Sequence, residues 1–140
     1  IILDEMLGRF DPQTTDYMST NYPSRSFPVG LDCEVMRSDV LLRVHQEATS
    51  AYDREHVTPY IYNNPNVFSL QGYTNADDLQ DIRITLDTSE DYERLVAITS
   101  KHPELMSPKQ DVIAVVKSYF QAKAGQYEDN VLQSRKEHSR

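Results

Sequence analysis

Arg83-Ile84-Thr85-Leu86-Asp87-Thr88-Ser89-Glu90-Asp91-Tyr92 is the stretch that decides the fold class. Its first half alternates, so that Ile82, Ile84 and Leu86 fall on one side of an extended chain and Arg83, Thr85 and Asp87 on the other. Its second half changes period: Thr88 and Ser89 supply capping hydroxyls ahead of acidic residues that suit a helix N-terminus. The pattern predicts a strand that ends on a carboxylate and turns directly into a helix, as α/β folds require. In such folds ligands and metals collect at the C-terminal ends of strands. Asp87 is therefore the leading catalytic candidate. The alternative is a cap role, which Thr88 and Ser89 already fill.

Working outward, the helix from Thr88 is predicted to bury Tyr92, Leu95, Val96 and Thr99, and Lys101-His102-Pro103 stops it. Glu90, Asp91 and Glu93 serve its dipole. Ser107-Pro108-Lys109-Gln110 starts the next helix, with an apolar stripe of Val112, Val115, Val116, Tyr119 and Phe120 and a stop at Gly125. Residues 1–125 read as one domain and residues 126–140 as a polar tail.

Upstream, Leu3 to Phe10 suits a short helix and Asp16 to Asn21 a strand. The prolines and glycine of Tyr22 to Gly30 make a loop. Leu31 to Met36 alternates again, with Leu31, Cys33 and Val35 opposite Asp32 and Glu34. Ser38 is the predicted cap of a helix facing inward through Val40, Leu41, Val44 and Ala48. Asp53 is the predicted cap of a helix over Ala51 to Asn64, unless Thr58-Pro59 begins one of its own. Val67 to Gly72 is a weak strand, followed by an acidic loop to Asp81.

A chain of 140 residues with net charge -8 can bury a core, and its acidity opposes nucleic acid or an anionic membrane as partner. The one cysteine, Cys33, reads as a buried structural thiol and fits a reducing, cytoplasmic setting. No apolar run reaches the ~20 residues of a membrane span. HExxH, CxxC, GxSxG and P-loop signatures are absent. The chain opens abruptly on Ile1-Ile2-Leu3, already amphipathic, which reads as a cut inside a domain.

Two further segments carry chemistry. Arg25 to Glu34 sets a fixed cation, a Pro28-Val29-Gly30 turn and the carboxylates of Asp32 and Glu34 within ten residues. Arg presents a planar fork to carboxylate or phosphate, and Gly30 allows close backbone approach. Asp32 and Glu34 suit sugar hydroxyls or a metal; the plain alternative is a solvated acidic face. In Asp53-Arg54-Glu55-His56 polar groups crowd a helix start, the alternative being a cap with an intrahelical Arg-Glu pair.

Three runs, Ser26 to Val35, Asp53 to Ile61 and Arg83 to Asp91, resemble the C-terminal half of the spore coat polysaccharide biosynthesis protein F group. That group is similar to the cytidylyltransferases that activate ketodeoxyoctonate and neuraminate sugars. The resemblance covers most of Tyr17 to Ile98. It implies a nucleotide-diphospho-sugar transferase fold, an α/β three-layer sandwich around a mixed sheet, with the N-terminal nucleotide-binding half absent here. The implied reaction is attack of a sugar hydroxyl on the α-phosphate of CTP, giving a CMP-sugar and pyrophosphate. The resemblance assigns Mg²⁺ to Asp87. It places Arg25, Pro28, Gly30, Asp32, Glu34 and Arg83 on the substrate side, and Arg54, Glu55 and His56 near substrate or a homodimer contact. The chain alone is expected to turn over little. Alternatives are a non-catalytic sugar-binding or dimerisation module, or a related glycosyltransferase. The last lacks its Asp-x-Asp signature, since Asp77-Asp78 has the wrong spacing.

Overall fold

The computed structural model describes residues 2–107 and 111–137, with side chains as far as residue 125. Two compact units divide the chain, Ile1–Arg83 and Ile84–Arg140.

The first unit is a small mixed sheet with helices. Helix α1 spans Ile2–Arg9, and strands β1 (Tyr17–Ser19), β2 (Glu34–Met36) and β3 (Leu70–Gly72) follow, with α2 (Ser38–Glu47), α3 (Ala51–His56) and α4 (Pro59–Tyr62) between β2 and β3. The strand order is β2-β1-β3. β1 pairs antiparallel with β2 and parallel with β3, which gives the mixed sheet the sequence led one to expect. Tyr17 stands opposite Met36 on one side and Leu70 on the other. This row packs into a core of Val40 and Val44 from α2, Ala48 at its C-cap, Ile61 from α4, and Phe68. Central β1 is buried at every position, the expected fate of a strand flanked on both edges.

Several local expectations change. β2 begins only at Glu34, and Asp32 lies before it. The N-cap of α2 is Arg37, without a side-chain cap bond, so Ser38 is already helical. α2 buries Val40, Val44 and Ala48 as its period requires, while Leu41 stays exposed. Ser50, not Asp53, caps α3: Ser50 Oγ accepts from the Asp53 N–H at 3.0 Å and donates to Asp53 Oδ2 at 2.6 Å. The helix then breaks, and Thr58-Pro59 starts α4 separately with Pro59 in its first turn, the second of the two expected arrangements. Cys33 is half-buried rather than buried. Burial still raises its thiol pKa above the ordinary value.

In the second unit, α5 spans Ser89–Lys101 and α6 spans Val112–Glu137, with a 3₁₀ turn at Pro103–Met106. The expected strand is reduced to an extended approach. Its one ladder contact is a parallel bridge from Arg83, the last residue of the first unit, to Val29. Without a ladder partner nothing enforces alternation beyond Arg83, and Leu86 is exposed. The helix start is as read, with Thr88 as N-cap. The inward face of α5 is not: Tyr92 and Val96 are exposed, and Ile98 and Asp91 are buried instead. Carboxylate burial at Asp91 shifts the covered stripe toward the cap. Among the described side chains of α6, Val116 is the buried one. This helix continues through Gly125, which meets no neighbour and needs no turn. Residues 108–110 of the predicted Ser107-Pro108-Lys109-Gln110 start lie outside the described residues.

Candidate functional site

Glu34 opens β2 and is the centre of a polar cluster in the first unit. Tyr17, two positions along the neighbouring strand, donates its phenol O–H to Glu34 Oε1 at 2.6 Å. Thr58 Oγ1 donates to the same oxygen at 3.2 Å. Burial, then the Glu34 carboxylate, drives the Tyr17 phenol pKa well above its ordinary value. The cluster walls a cavity of about 420 Å³, with Asn21, Tyr22 and Tyr62 among its other lining residues. That volume lies in the ~300–1,000 Å³ range of small-ligand clefts. Asn21 Oδ1 is buried there without a hydrogen-bond partner. Buried polar atoms without a partner are uncommon in folded proteins.

The chain reaches this geometry through a strained turn. Val57 has φ 65° and ψ -61°, and the Thr58 N–H donates to the His56 carbonyl at 2.8 Å. This is a γ-turn of the rarer, positive-φ kind, unfavourable for a β-branched residue. It separates α3 from α4 and sets Thr58 against Glu34. Strain of this sort persists only where surrounding structure over-determines it. Gly72 closes the other side of the sheet tightly, since a Cβ there would lie 2.3 Å from the Tyr22 carbonyl oxygen.

The remaining candidates of the first unit are dispersed around this cluster. Arg25 forms an ion pair with Asp32. Asp32 and Glu34 are therefore engaged separately rather than as a paired acidic face. Pro28 is fully buried, and Gly30 has φ 107°, a conformation glycine alone adopts without strain. Arg83 and Val29 bridge by backbone, with the Val29 N–H donating to the Ile82 carbonyl at 2.8 Å. Arg54 donates to the Ala48 carbonyl at 3.3 Å and lines a different, apolar groove with Leu41, Leu42 and His45. Glu55 is exposed, and the His56 ring sits edge-on to Tyr52 at 4.5 Å.

Tyr17, Asn21, Thr58 and Tyr62 were not legible as site residues. Tyr17 reads from the sequence only as one residue of a strand. Its partner is 17 residues away along the chain, and Thr58 lies 24 from Glu34. Only the Thr58-Pro59 helix start gave a local hint.

Asp87 belongs to the second unit, where it precedes the N-cap of α5. Its side chain is exposed, and its N–H donates to Asp91 Oδ2 at 3.1 Å. Asp91 also takes the Thr88 N–H at 3.2 Å, while Thr88 Oγ1 accepts from the Asp91 N–H at 3.1 Å, completing a capping box. Arg94 donates to the other Asp91 oxygen at 2.7 Å. The Asp87 N–H, followed by Arg94 and Thr88, holds the Asp91 carboxyl below its ordinary range, against the opposing effect of burial. The cap work falls on Thr88 and Asp91, and Asp87 is an exposed residue just ahead of them.

Among the described residues no three His, Cys, Asp or Glu side chains gather closely enough to form a metal cage. Mg²⁺ does not need one: it commonly uses one or two carboxylates, with water and substrate phosphates completing the shell. Thr85 Oγ1, two residues before Asp87, is buried without a partner. Asp87, exposed just before α5, supplies hard oxygen donors of the kind that ion takes.

This architecture is that of a cytidylyltransferase, with the nucleotide-diphospho-sugar transferase fold. A cytidylyltransferase of Leptospira borgpetersenii serovar Hardjo-bovis matches with a TM-score of 0.78 and 26% identity, over 88% of this chain and 51% of that one. By sequence the chain is 30% identical over 106 residues to the spore coat polysaccharide biosynthesis protein SpsF of Bacillus subtilis. It is also 33% identical over 108 residues to an uncharacterized protein of Methanocaldococcus jannaschii. These alignments cover 74% and 76% of this chain, which spans 42% of the length of each relative. No protein-family model matches the chain. Among the described residues no helix is long and apolar enough to cross a membrane.

Proposed function

We propose that the chain is part of a Mg²⁺-dependent cytidylyltransferase that joins a sugar hydroxyl to the α-phosphate of CTP, releasing pyrophosphate and a CMP-sugar. The observation that carries the reading is the likeness to the Leptospira cytidylyltransferase over most of the chain. Support also comes from Asp87, whose carboxyl is exposed immediately before a helix capped by other residues. Because the alignments cover only 42% of each relative, the reaction is proposed for the full-length protein, with this chain contributing the sugar side, a carboxylate and a dimer contact.

In that reading Asp87 holds the ion, which when bound offsets charge on the triphosphate. Asp91, Thr88 and Arg94 fix the backbone that presents Asp87. Glu34, kept in place by Tyr17 and Thr58, accepts hydrogen bonds from sugar hydroxyls. The Arg25–Asp32 pair and the Gly30 turn shape the loop beside β2. Such a protein acts in the cytoplasm, where CTP is made available for surface polysaccharide or glycan assembly.

The test is a screen of four nucleoside triphosphates against a sugar panel, following pyrophosphate release by the full-length protein. CTP-specific, sugar-dependent release supports the proposal. Release with another nucleotide only, or none with any pair, would overturn it.

A further inference from the structure

We propose that the strained turn at Val57-Thr58 is a positioning device for Glu34, with Thr58 the positioning residue that sets sugar affinity. The inference rests on the reading above of Glu34 as an acceptor of sugar hydroxyls, and goes beyond it in naming what controls that acceptor. Thr58 is the N-cap of α4, yet its side chain makes no cap hydrogen bond. Ser50 and Thr88, at the same position of α3 and α5, do cap with their hydroxyls, as N-cap residues ordinarily do. In α4 the Thr58 carbonyl accepts from the Ile61 N–H at 2.9 Å. The Thr58 hydroxyl instead donates to Glu34 Oε1 at 3.2 Å, 24 residues away along the chain.

The backbone is bent to allow this. Val57 ends α3 with φ 65° and ψ -61°, its N–H donating to the Asp53 carbonyl at 2.8 Å and its side chain packed on the core. A positive φ at a β-branched residue persists only where packing over-determines it, and such outliers gather at functional sites. Here the unfavourable geometry delivers one hydroxyl to one carboxylate. Glu34 is an exposed residue, and an exposed glutamate ordinarily samples several rotamers. Tyr17 from the sheet and Thr58 from the turn both donate to Oε1, which restrains the side chain and leaves Oε2 for a ligand's donor. A carboxylate held before the ligand arrives loses less freedom on binding, so this restraint shows as affinity.

Steady-state pyrophosphate release by the full-length protein tests this, with CTP and the panel sugar that gives the fastest release. Thr58→Val should raise the sugar KM about three- to tenfold, the scale of one hydrogen bond, with kcat and the CTP KM near parental. Thr58→Ser should restore the sugar KM. Val57→Gly, although folded, should raise it as Thr58→Val does. On a Glu34→Ala background Thr58→Val should add no further loss. An unchanged sugar KM in folded Thr58→Val or Val57→Gly would overturn the inference. So would failure of Thr58→Ser to rescue, or a full Thr58→Val effect on the Glu34→Ala background. A substrate-free double-mutant cycle of Thr58→Val and Glu34→Ala in urea unfolding keeps the two readings apart. Non-additive losses with no release from any nucleotide–sugar pair leave the Thr58–Glu34 contact standing and overturn only the transferase reading. Additive losses overturn the inference itself.

Discussion

Tyr17 and Glu34 lie diagonally across the β1–β2 pair, Tyr17 in register with Met36 and Glu34 with Ser19, yet their side chains are hydrogen-bonded at 2.6 Å. A buried phenol thus anchors an exposed carboxylate at the mouth of a cavity. Long side chains reach such diagonal neighbours on one sheet face. The bond joins the hydrophobic core to the polar cleft.

Tyr17→Phe should lower stability by about 1 kcal/mol, the usual net value of a hydrogen bond, measured by urea unfolding. It should also loosen Glu34, so sugar affinity should fall although Tyr17 contributes little exposed surface. Because its folded pKa is raised, Tyr17 stabilises the fold fully below its unfolded value near 10, and this contribution is lost as pH rises through the higher folded value. Absorbance titration should show one tyrosine that ionises only on alkaline unfolding. Titration of every tyrosine near its ordinary value in the folded protein would contradict this.

Val57→Gly should cost less than half-buried Val→Gly changes normally do, staying within about 1 kcal/mol of the parent. Relief of the positive-φ strain offsets the lost packing and backbone entropy. A loss of about 3 kcal/mol in denaturant unfolding would mean the turn stores no strain.

Gly72→Ala should destabilise by about 1–3 kcal/mol, as overpacking does, because the new methyl collides with the Tyr22 carbonyl rather than a side chain that can move. Thermal unfolding with an unchanged midpoint would show that the Tyr22 loop yields.

Thr88→Ala should cost about 1 kcal/mol through loss of the α5 cap. Asp91 adds a pH signature. Its folded pKa is depressed, so its contribution is present above the unfolded carboxylate value near 4 and is lost as pH falls through the lower folded value. Carboxyl NMR titration should place Asp91 below the ordinary aspartate value near 4. A value above about 4 would contradict the capping-box account.

The sequence made the mixed α/β character legible because period and caps are local. Thr88, Thr58-Pro59 and the Val40–Val44–Ala48 stripe read directly, each being governed by neighbours within one helical turn. Failures arose where distant partners decide. Ile84 to Leu86 alternates like a strand, but alternation does not supply a hydrogen-bonding neighbour. Tyr92 and Val96 lie on a helical stripe, yet burial of Asp91 turned that stripe outward. Within the site, Glu34 was found by its charge. Tyr17, Asn21 and Tyr62 were not, because only the fold brings them together.

The central claim is tested most directly by pyrophosphate release from CTP in the full-length protein carrying Asp87→Asn, with circular dichroism to verify the fold. Removing the charge while keeping the shape should reduce Mg²⁺-dependent release by about 100-fold or more. Near-parental turnover in a folded Asp87→Asn protein would contradict the account.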